Sequence, residues 1–420
     1  MNNWLETDSR TPHATAYDRA VAWCLAAVLF VIYLFAYTGT IQSSDGLAMF
    51  TTAESMVRRG EIDSNQLLWM GAQQGNIGPD GDLYSRKGLG MTLLALPLVW
   101  LAKLWPGIGL VQAALLLNPI LTAWTGALIY LTGRRMTWSY PVAALTALAF
   151  GTATLALPYT QTFFSDPVCM WGLFAAAYGL LAHAQTGRKR YLFAAGIAWS
   201  IAYLARVVNL ITLPIYTIGL LAAIRWAAEI RPAAPTVGQW ARWLLHDAWR
   251  PLISFGVPVI IAGLLSLYWN GARYGSIWDS GYVETERFSA VWWFGISGLL
   301  AGPARGLFWY SPILLLGLWG GVLLWRRQRA VALFGLALIV SYVLLYGKWY
   351  MWHGGYSWGP RFLVPILPFM SLYTGAALVA LAAMRNRPAL IGAGLLAVVS
   401  VAVQKLGILV PFGLVQNWLD

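Results

Sequence analysis

Long apolar runs, separated by short polar breaks, organise this chain. Residues 20 to 44 carry no charge, and a run of about 20 apolar residues suffices for one bilayer-crossing helix. The run is too long for a signal-peptide core, and no small-x-small cleavage site follows it, so it reads as a retained helix. Further spans are predicted over residues 108–132, 136–157, 166–185, 191–205, 208–224, 251–270, 306–325, 330–347, 361–384 and 388–408, about eleven in all by the hydropathy rule. Residues 88–102 are also apolar, but Pro97 breaks the run and Lys103 bounds it. That is short for a crossing, and the pattern predicts a helix lying in the interface. No short-period repeat and no low-complexity segment is present. The expectation is an all-α polytopic membrane protein of one domain, residues 1–420.

Charge gives this pattern a direction. Arg134 and Arg135, the run Arg188, Lys189, Arg190, the loop 225–250 with Arg225, Arg231, Arg242 and Arg250, the group Arg326, Arg327, Arg329, and the pair Arg385, Arg387 all fall between predicted spans. If residues 88–102 stay in the interface, every one of these clusters lies on a single face, and of the multi-arginine clusters only Arg58–Arg59 lies on the other. If that segment crosses, the clusters at 134, 188 and 326 move outside, against the positive-inside rule. The expected topology therefore has residues 1–19 as a cytoplasmic tail and 40–107 as a first outer loop with interfacial helices. Two more outer loops follow at 271–304 and 348–360, and the last span leaves the C-terminus outside.

Composition agrees. Of 420 residues, 59% are hydrophobic and 10% charged, against about 25% charged in soluble domains; the mean hydropathy is +0.61. The 24 tryptophans suit membrane–water interfaces. The net charge of +12 sits in the inter-span clusters, without the basic patch and base-stacking aromatics of a nucleic-acid binder, so no nucleic-acid partner is expected. Cys24 and Cys169 lie in apolar runs, without CxxC or Cys/His ligand spacing, and read as packed thiols.

The first loop is the longest polar stretch and holds Asp45, Glu54, Glu61, Asp63, Asp80 and Asp82, six of the 16 acidic residues. Asp45 follows the first span in Ser43-Ser-Asp45-Gly. Three roles are open to it: general base for a hydroxyl, metal ligand, or N-cap of a following helix. Glu54 is a candidate supporting partner, and the loop's other four acids read as solvated. The same face also gathers Arg86, Lys87, Asp166, Arg206, Arg305, His353 and Arg361. Ionisable groups at helix ends in an apolar context are costly and point to function, although Lys103 and Arg305 read equally well as snorkelling residues. Arginines around one pocket suit a phosphate, which they hold by paired, charge-assisted hydrogen bonds. The segment Lys348-Trp-Tyr-Met-Trp-His353-Gly-Gly-Tyr-Ser-Trp358-Gly-Pro-Arg361 offers ring faces for a sugar. An interfacial aromatic belt explains its rings, but not the glycines, His353 or Pro-Arg. Asp45 and Asp166 could share a divalent cation through oxygen ligands, but no His/Asp/Glu pair has a diagnostic spacing.

These stretches together resemble the GT-C superfamily of membrane glycosyltransferases, whose members include protein O-mannosyltransferases and the aminoarabinose transferase of lipid A. The resemblance covers nearly the whole chain. It rests on Ser-Ser-Asp45-Gly, on Tyr84-Ser-Arg86-Lys87-Gly-Leu-Gly, on Phe-Phe-Ser-Asp166-Pro, and on Trp352-His353-Gly-Gly-Tyr-Ser-Trp358-Gly-Pro-Arg361-Phe. The blocks Tyr274-Gly-Ser-Ile-Trp-Asp279-Ser-Gly-Tyr282 and Arg305-Gly-Leu-Phe-Trp-Tyr-Ser-Pro312 are similar to uncharacterised bacterial members. The resemblance implies a polyprenyl-phosphate sugar donor, membrane lipids as surroundings, an acceptor that is a glycan, lipid or protein, and a site on the extracytoplasmic face of the cell membrane. It implies Asp45 as the base or organiser of the acceptor and Asp166 as a second acid at the rim. Arg86 stands where relatives often have a lysine on the donor phosphate, and the adjacent Lys87 leaves two candidates for that contact. Arg206, His353, Trp358 and Arg361 complete the expected lipid-phosphate and sugar site. The chain departs from mannosyltransferases in having one Asp-Gly in place of paired acids, which weakens a metal-dependent reading, and it ends soon after its last predicted span. A transporter or lipid flippase is the alternative, since broken helices and intramembrane charges fit that class too.

Overall fold

The computed structural model describes residues 15–73, 75–105, 107–228, 243, 246, 248–282, 286–384, 387–410 and 412. Most of the 1–19 tail, Arg231, Arg242, Arg385 and the end of the chain lie outside the described residues. The α-helices are α1 (Ala16–Phe35), α2 (Ser44–Arg58), α3 (Leu89–Leu104), α4 (Leu110–Leu115), α5 (Leu117–Arg135), α6 (Tyr140–Ala153), α7 (Ala156–Tyr159), α8 (Asp166–Thr186), α9 (Arg190–Ala205) and α10 (Leu213–Ala227). They continue as α11 (Trp249–Tyr274), α12 (Trp292–Leu300), α13 (Leu307–Tyr310), α14 (Leu315–Arg327), α15 (Arg329–Lys348), α16 (Leu367–Met384) and α17 (Arg387–Leu409). A small antiparallel hairpin, β1 (Gly75–Ile77) and β2 (Leu83–Ser85), pairs Gly75 with Ser85 and Ile77 with Leu83.

The all-α polytopic expectation holds. Among the described residues, eight helical segments are long and apolar enough to cross a membrane. They correspond to eight of the predicted spans. The remaining three predicted spans are shorter or broken. Residues 136–157 form α6 and then α7, and 191–205 form α9. Residues 306–325 are divided by Ser311 and Pro312 into α13, a 3₁₀ turn and α14, because proline lacks the N–H that a continuous helix needs. Segment Arg361–Met384 is the most enclosed (89% buried) and Arg387–Leu409 the least (17%). The core therefore centres on α16 with α5 and α8, and α17 presents an apolar outer face.

Helix ends decide the path of the first loop. Thr15 and Asp18 form a reciprocal cap at the start of α1. Asp18 also accepts a 2.7 Å charged hydrogen bond from Arg134 in the last turn of α5. The start of α1 and the end of α5 thus lie together. Helices α2 and α3 run side by side. Lys87, just before α3, meets Asp45 in the first turn of α2, and Lys103 near the end of α3 donates to the Val57 carbonyl near the end of α2 at 2.7 Å.

Candidate active site

Ser43, not Asp45, caps α2, its Oγ accepting from the Gly46 N–H at 3.1 Å. Asp45 therefore sits in the first turn, where the helix dipole favours a carboxylate, with both oxygens available. Lys87 Nζ lies 2.7 Å from Oδ1, and Arg361 Nη2 donates to Oδ2 at 2.8 Å. Its side chain is partly open, 24% exposed. Burial pushes the carboxyl pKa upward, but the charges and hydrogen bonds of Lys87 and Arg361 outweigh it and hold Asp45 well below the usual carboxylate range.

A second ion pair stands beside the first. Asp166 opens α8 and is fully buried. Arg206, in extended conformation just past α9, closes a fork on it, with Nη1–Oδ1 at 2.8 Å and Nη2–Oδ2 at 2.9 Å. Arg206 Nε donates to Ser165 Oγ at 3.0 Å, and Nη1 reaches Tyr346 OH at 3.4 Å. The Tyr346 ring stacks on Phe362 at 4.4 Å. Phe362 carries Arg206 at 5.4 Å and Arg361 at 5.0 Å from its centroid, so both cations lie against one ring. Phe164 supports Arg361 from another side at 4.4 Å.

The Lys87-Gly-Leu-Gly sequence explains how distant segments meet. A Cβ on Gly88 would lie 2.3 Å from the Leu204 carbonyl oxygen, and one on Gly90 would lie 2.4 Å from the Ala205 nitrogen. Only glycine lets the start of α3 rest on the end of α9, which brings Lys87 towards Arg206.

Arg86 points elsewhere. Its Nη1 bonds Glu286 Oε2 at 3.1 Å, and Tyr350 OH donates to Glu286 Oε1 at 3.4 Å. Successive side chains leaving a strand face opposite ways, so of the two basic neighbours after β2 it is Lys87 that reaches Asp45. Arg86 instead ties the first loop to the loops around 286 and 350.

The structure corrects two expectations and decides a third that the sequence leaves open. Glu54 does not join the cluster; it pairs with Arg58 one turn along α2 at 3.0 Å. Trp358 offers no open ring to a sugar. It is buried, packs edge-to-face on Tyr310 at 5.0 Å, and a Cβ on Gly407 would touch its Nε1 at 2.6 Å. Arg305 is not a snorkelling residue: it is buried and clamps the aromatic loop by donating to the carbonyls of Ser357 and, at 3.0 Å, Gly355. His353 lies in that loop, its Nδ1 accepting from the Gly355 N–H at 3.2 Å. Gly354 lies against the Arg361 stem, so the loop and the ion cluster are in contact.

A divalent cation does not fit this donor set. Among the described residues no group of three or more His, Cys, Asp or Glu side chains could hold one, and Asp45 and Asp166 both already face cations. The sequence reading missed the bridging role of Glu286, the support of Arg206 by Ser165 and Tyr346, and Arg273, whose carbonyl contacts reach the Lys87 segment. Those roles depend on contacts between remote segments, and no local motif signals them.

No family model matches the sequence, and no curated protein does. Solved structures do match in fold. ArnT from Cupriavidus metallidurans in the apo state aligns with a TM-score of 0.57 at 16% identity, over 89% of this chain and 62% of that one. The same protein bound to undecaprenyl phosphate aligns with a TM-score of 0.54 at 14% identity, over 86% and 59%. The Archaeoglobus fulgidus oligosaccharyltransferase aligns with a TM-score of 0.51 at 12% identity, over 98% and 56%. The chain thus spans about three fifths of the length of these structures. Over most of its length the chain therefore shares the fold of these solved structures.

Proposed function

We propose that the protein is a membrane glycosyltransferase that moves a sugar from a polyprenyl-phosphate donor to an acceptor hydroxyl or amine. The observation that carries this reading is the convergence of Lys87 and Arg361 on the partly open Asp45 carboxylate. Two cations from remote segments, held a carboxylate's width apart, are a fitting receptor for a phosphate. The fold relative bound to undecaprenyl phosphate supports the choice of lipid.

The donor phosphate takes over the hydrogen bonds of Lys87 and Arg361. The acceptor oxygen or nitrogen attacks the anomeric carbon as the bond to the phosphate oxygen breaks, and the lipid phosphate leaves with the bonding electron pair. Lys87 and Arg361 stabilise its growing charge, with Arg206, against the same Phe362 ring as Arg361, adding to the positive potential. The acceptor proton goes to Asp45. In the empty site the two cations make Asp45 a weak base; once the phosphate shares them, its affinity for a proton rises. One displacement inverts the anomeric centre. His353 and the loop 348–360 border the sugar.

The site faces the extracytoplasmic side of the cell membrane in this reading. Asp166 starts α8 and Arg206 follows α9, whereas Arg188, Lys189 and Arg190 lie at the other ends of those helices. Arg326, Arg327 and Arg329 likewise sit at the far end of α15 from the aromatic loop, as the positive-inside rule requires. A transporter would need its charges near mid-bilayer, whereas these gather at helix ends on one face.

The test is transfer by reconstituted protein supplied with labelled polyprenyl-phosphate sugars. Asp45→Asn is expected to slow transfer by about a hundredfold or more, and the product to have the inverted anomeric configuration. In the empty protein the Asp45 ion pairs contribute fully above the unfolded carboxylate pKa of about 3.9 and are lost only as pH falls below it. Transfer at the normal rate by Asp45→Asn rules out the base assignment.

A further inference from the structure

From the contacts of Arg273 we infer that it is a positioning residue for the lipid-phosphate site, holding the backbone from which Lys87 projects. The inference rests on the phosphate reading of Lys87 above. Arg273 lies in the last turn of α11 and is 3% exposed. A buried guanidinium normally finds a carboxylate, because an unpaired buried charge is costly. Among the described residues none lies within ion-pair distance of Arg273. Its donors go instead to Ser85 O, to Lys87 O at 3.4 Å, to Trp269 O at 3.2 Å and to Asn270 Oδ1 at 2.9 Å. The rings of Trp269 and Tyr274 flank it at 5.1 and 4.8 Å.

Two of these acceptors are the carbonyls on either side of Arg86, so the guanidinium grips the strand exit where the chain turns into α3. Tyr274 OH donates to the same Ser85 carbonyl at 3.2 Å. Gly275 then ends α11 in the left-handed region, φ 72°, and packs on Pro79 of the hairpin turn. The end of α11 is thus a platform for the whole segment between β1 and Lys87. A flexible lysine stem reaches any of several positions; fixing its backbone limits it to the one facing Asp45 and Arg361. The unneutralised charge also leaves the site net cationic, which favours an incoming anion. The arrangement gives Arg273 a defined action through Lys87 without contact to the substrate.

The probe is undecaprenyl phosphate, titrated by direct binding into protein in lipid nanodiscs, with no transfer required. Wild type is expected to bind. Arg273→Gln is expected to bind about tenfold or more weakly, the loss of charged hydrogen bonds, and Arg273→Lys, which retains the charge but not the fork, to fall between the two. The decisive readout is coupling to Lys87. In a Lys87→Met background, Arg273→Lys is expected to cause no further loss, because both changes act on one contact. If Arg273→Lys and Lys87→Met weaken binding independently and multiply, or if Arg273→Lys and Arg273→Gln bind like wild type, the positioning role is overturned. Arg273→Lys alone carries the test should Arg273→Gln fail to fold. Absence of binding by wild type would overturn the phosphate reading itself and this inference with it.

Discussion

Asp166→Asn is expected to destabilise the protein by about 3 kcal/mol, because it leaves the largely enclosed Arg206 charge, 16% exposed, without its carboxylate. Asp166 is fully buried and its two oxygens face both terminal nitrogens of Arg206. An amide can keep one hydrogen bond but cannot neutralise the guanidinium. Arg206 and Arg361 both lie against the Phe362 ring, so displacement of one cation disturbs the other. The variant is therefore also expected to lose transfer activity. Thermal unfolding in detergent, monitored with and without undecaprenyl phosphate, checks the first effect. A melting temperature equal to that of wild type would show that the Asp166–Arg206 pair contributes nothing net to stability.

Lys87→Met is expected to reduce transfer by about 10²–10³-fold, the usual cost of removing one charge-stabilising donor from a preorganised site. Fold and expression are expected to survive, since Lys87 is part-exposed and the methionine stem retains its apolar packing. The loss should appear in kcat as well as in donor KM, because the cation acts on charge that grows as the phosphate leaves. Steady-state kinetics with a lipid-phosphate sugar measure both. A rise in KM with kcat unchanged would confine Lys87 to donor binding and remove it from the chemical step.

Much of the architecture was legible in the sequence, for physical reasons. A bilayer-crossing helix must be long and largely uncharged, so eight of the spans could be read from the chain. Pro97 and Lys103 similarly marked α3 as a shorter apolar helix. The gathering of Asp45, Asp166, Arg206 and Arg361 could be anticipated from their place at the ends of apolar runs. Their pairing did not: Asp45 and Arg361 are separated by most of the chain, and nothing local says which cation meets which acid. Whether Arg86 or Lys87 faces the site depends on the direction in which β2 ends, which the hairpin and the grip of Arg273 set. Trp358 was read as a sugar-facing ring because a ring open to a ligand and a ring packed on Tyr310 and Gly407 look alike in sequence. Glu54 was readable: Arg58 stands four residues on, at the spacing of a helix-surface ion pair.

The central claim is that the Lys87–Asp45–Arg361 cluster receives the donor phosphate. The most direct measurement is a structure of the protein in lipid nanodiscs with a polyprenyl phosphate bound. The account predicts the phosphate between Lys87 Nζ and the Arg361 guanidinium, with Asp45 released from at least one of them and turned toward the acceptor side. A phosphate bound elsewhere, with the Lys87–Asp45 and Arg361–Asp45 contacts intact, would contradict it.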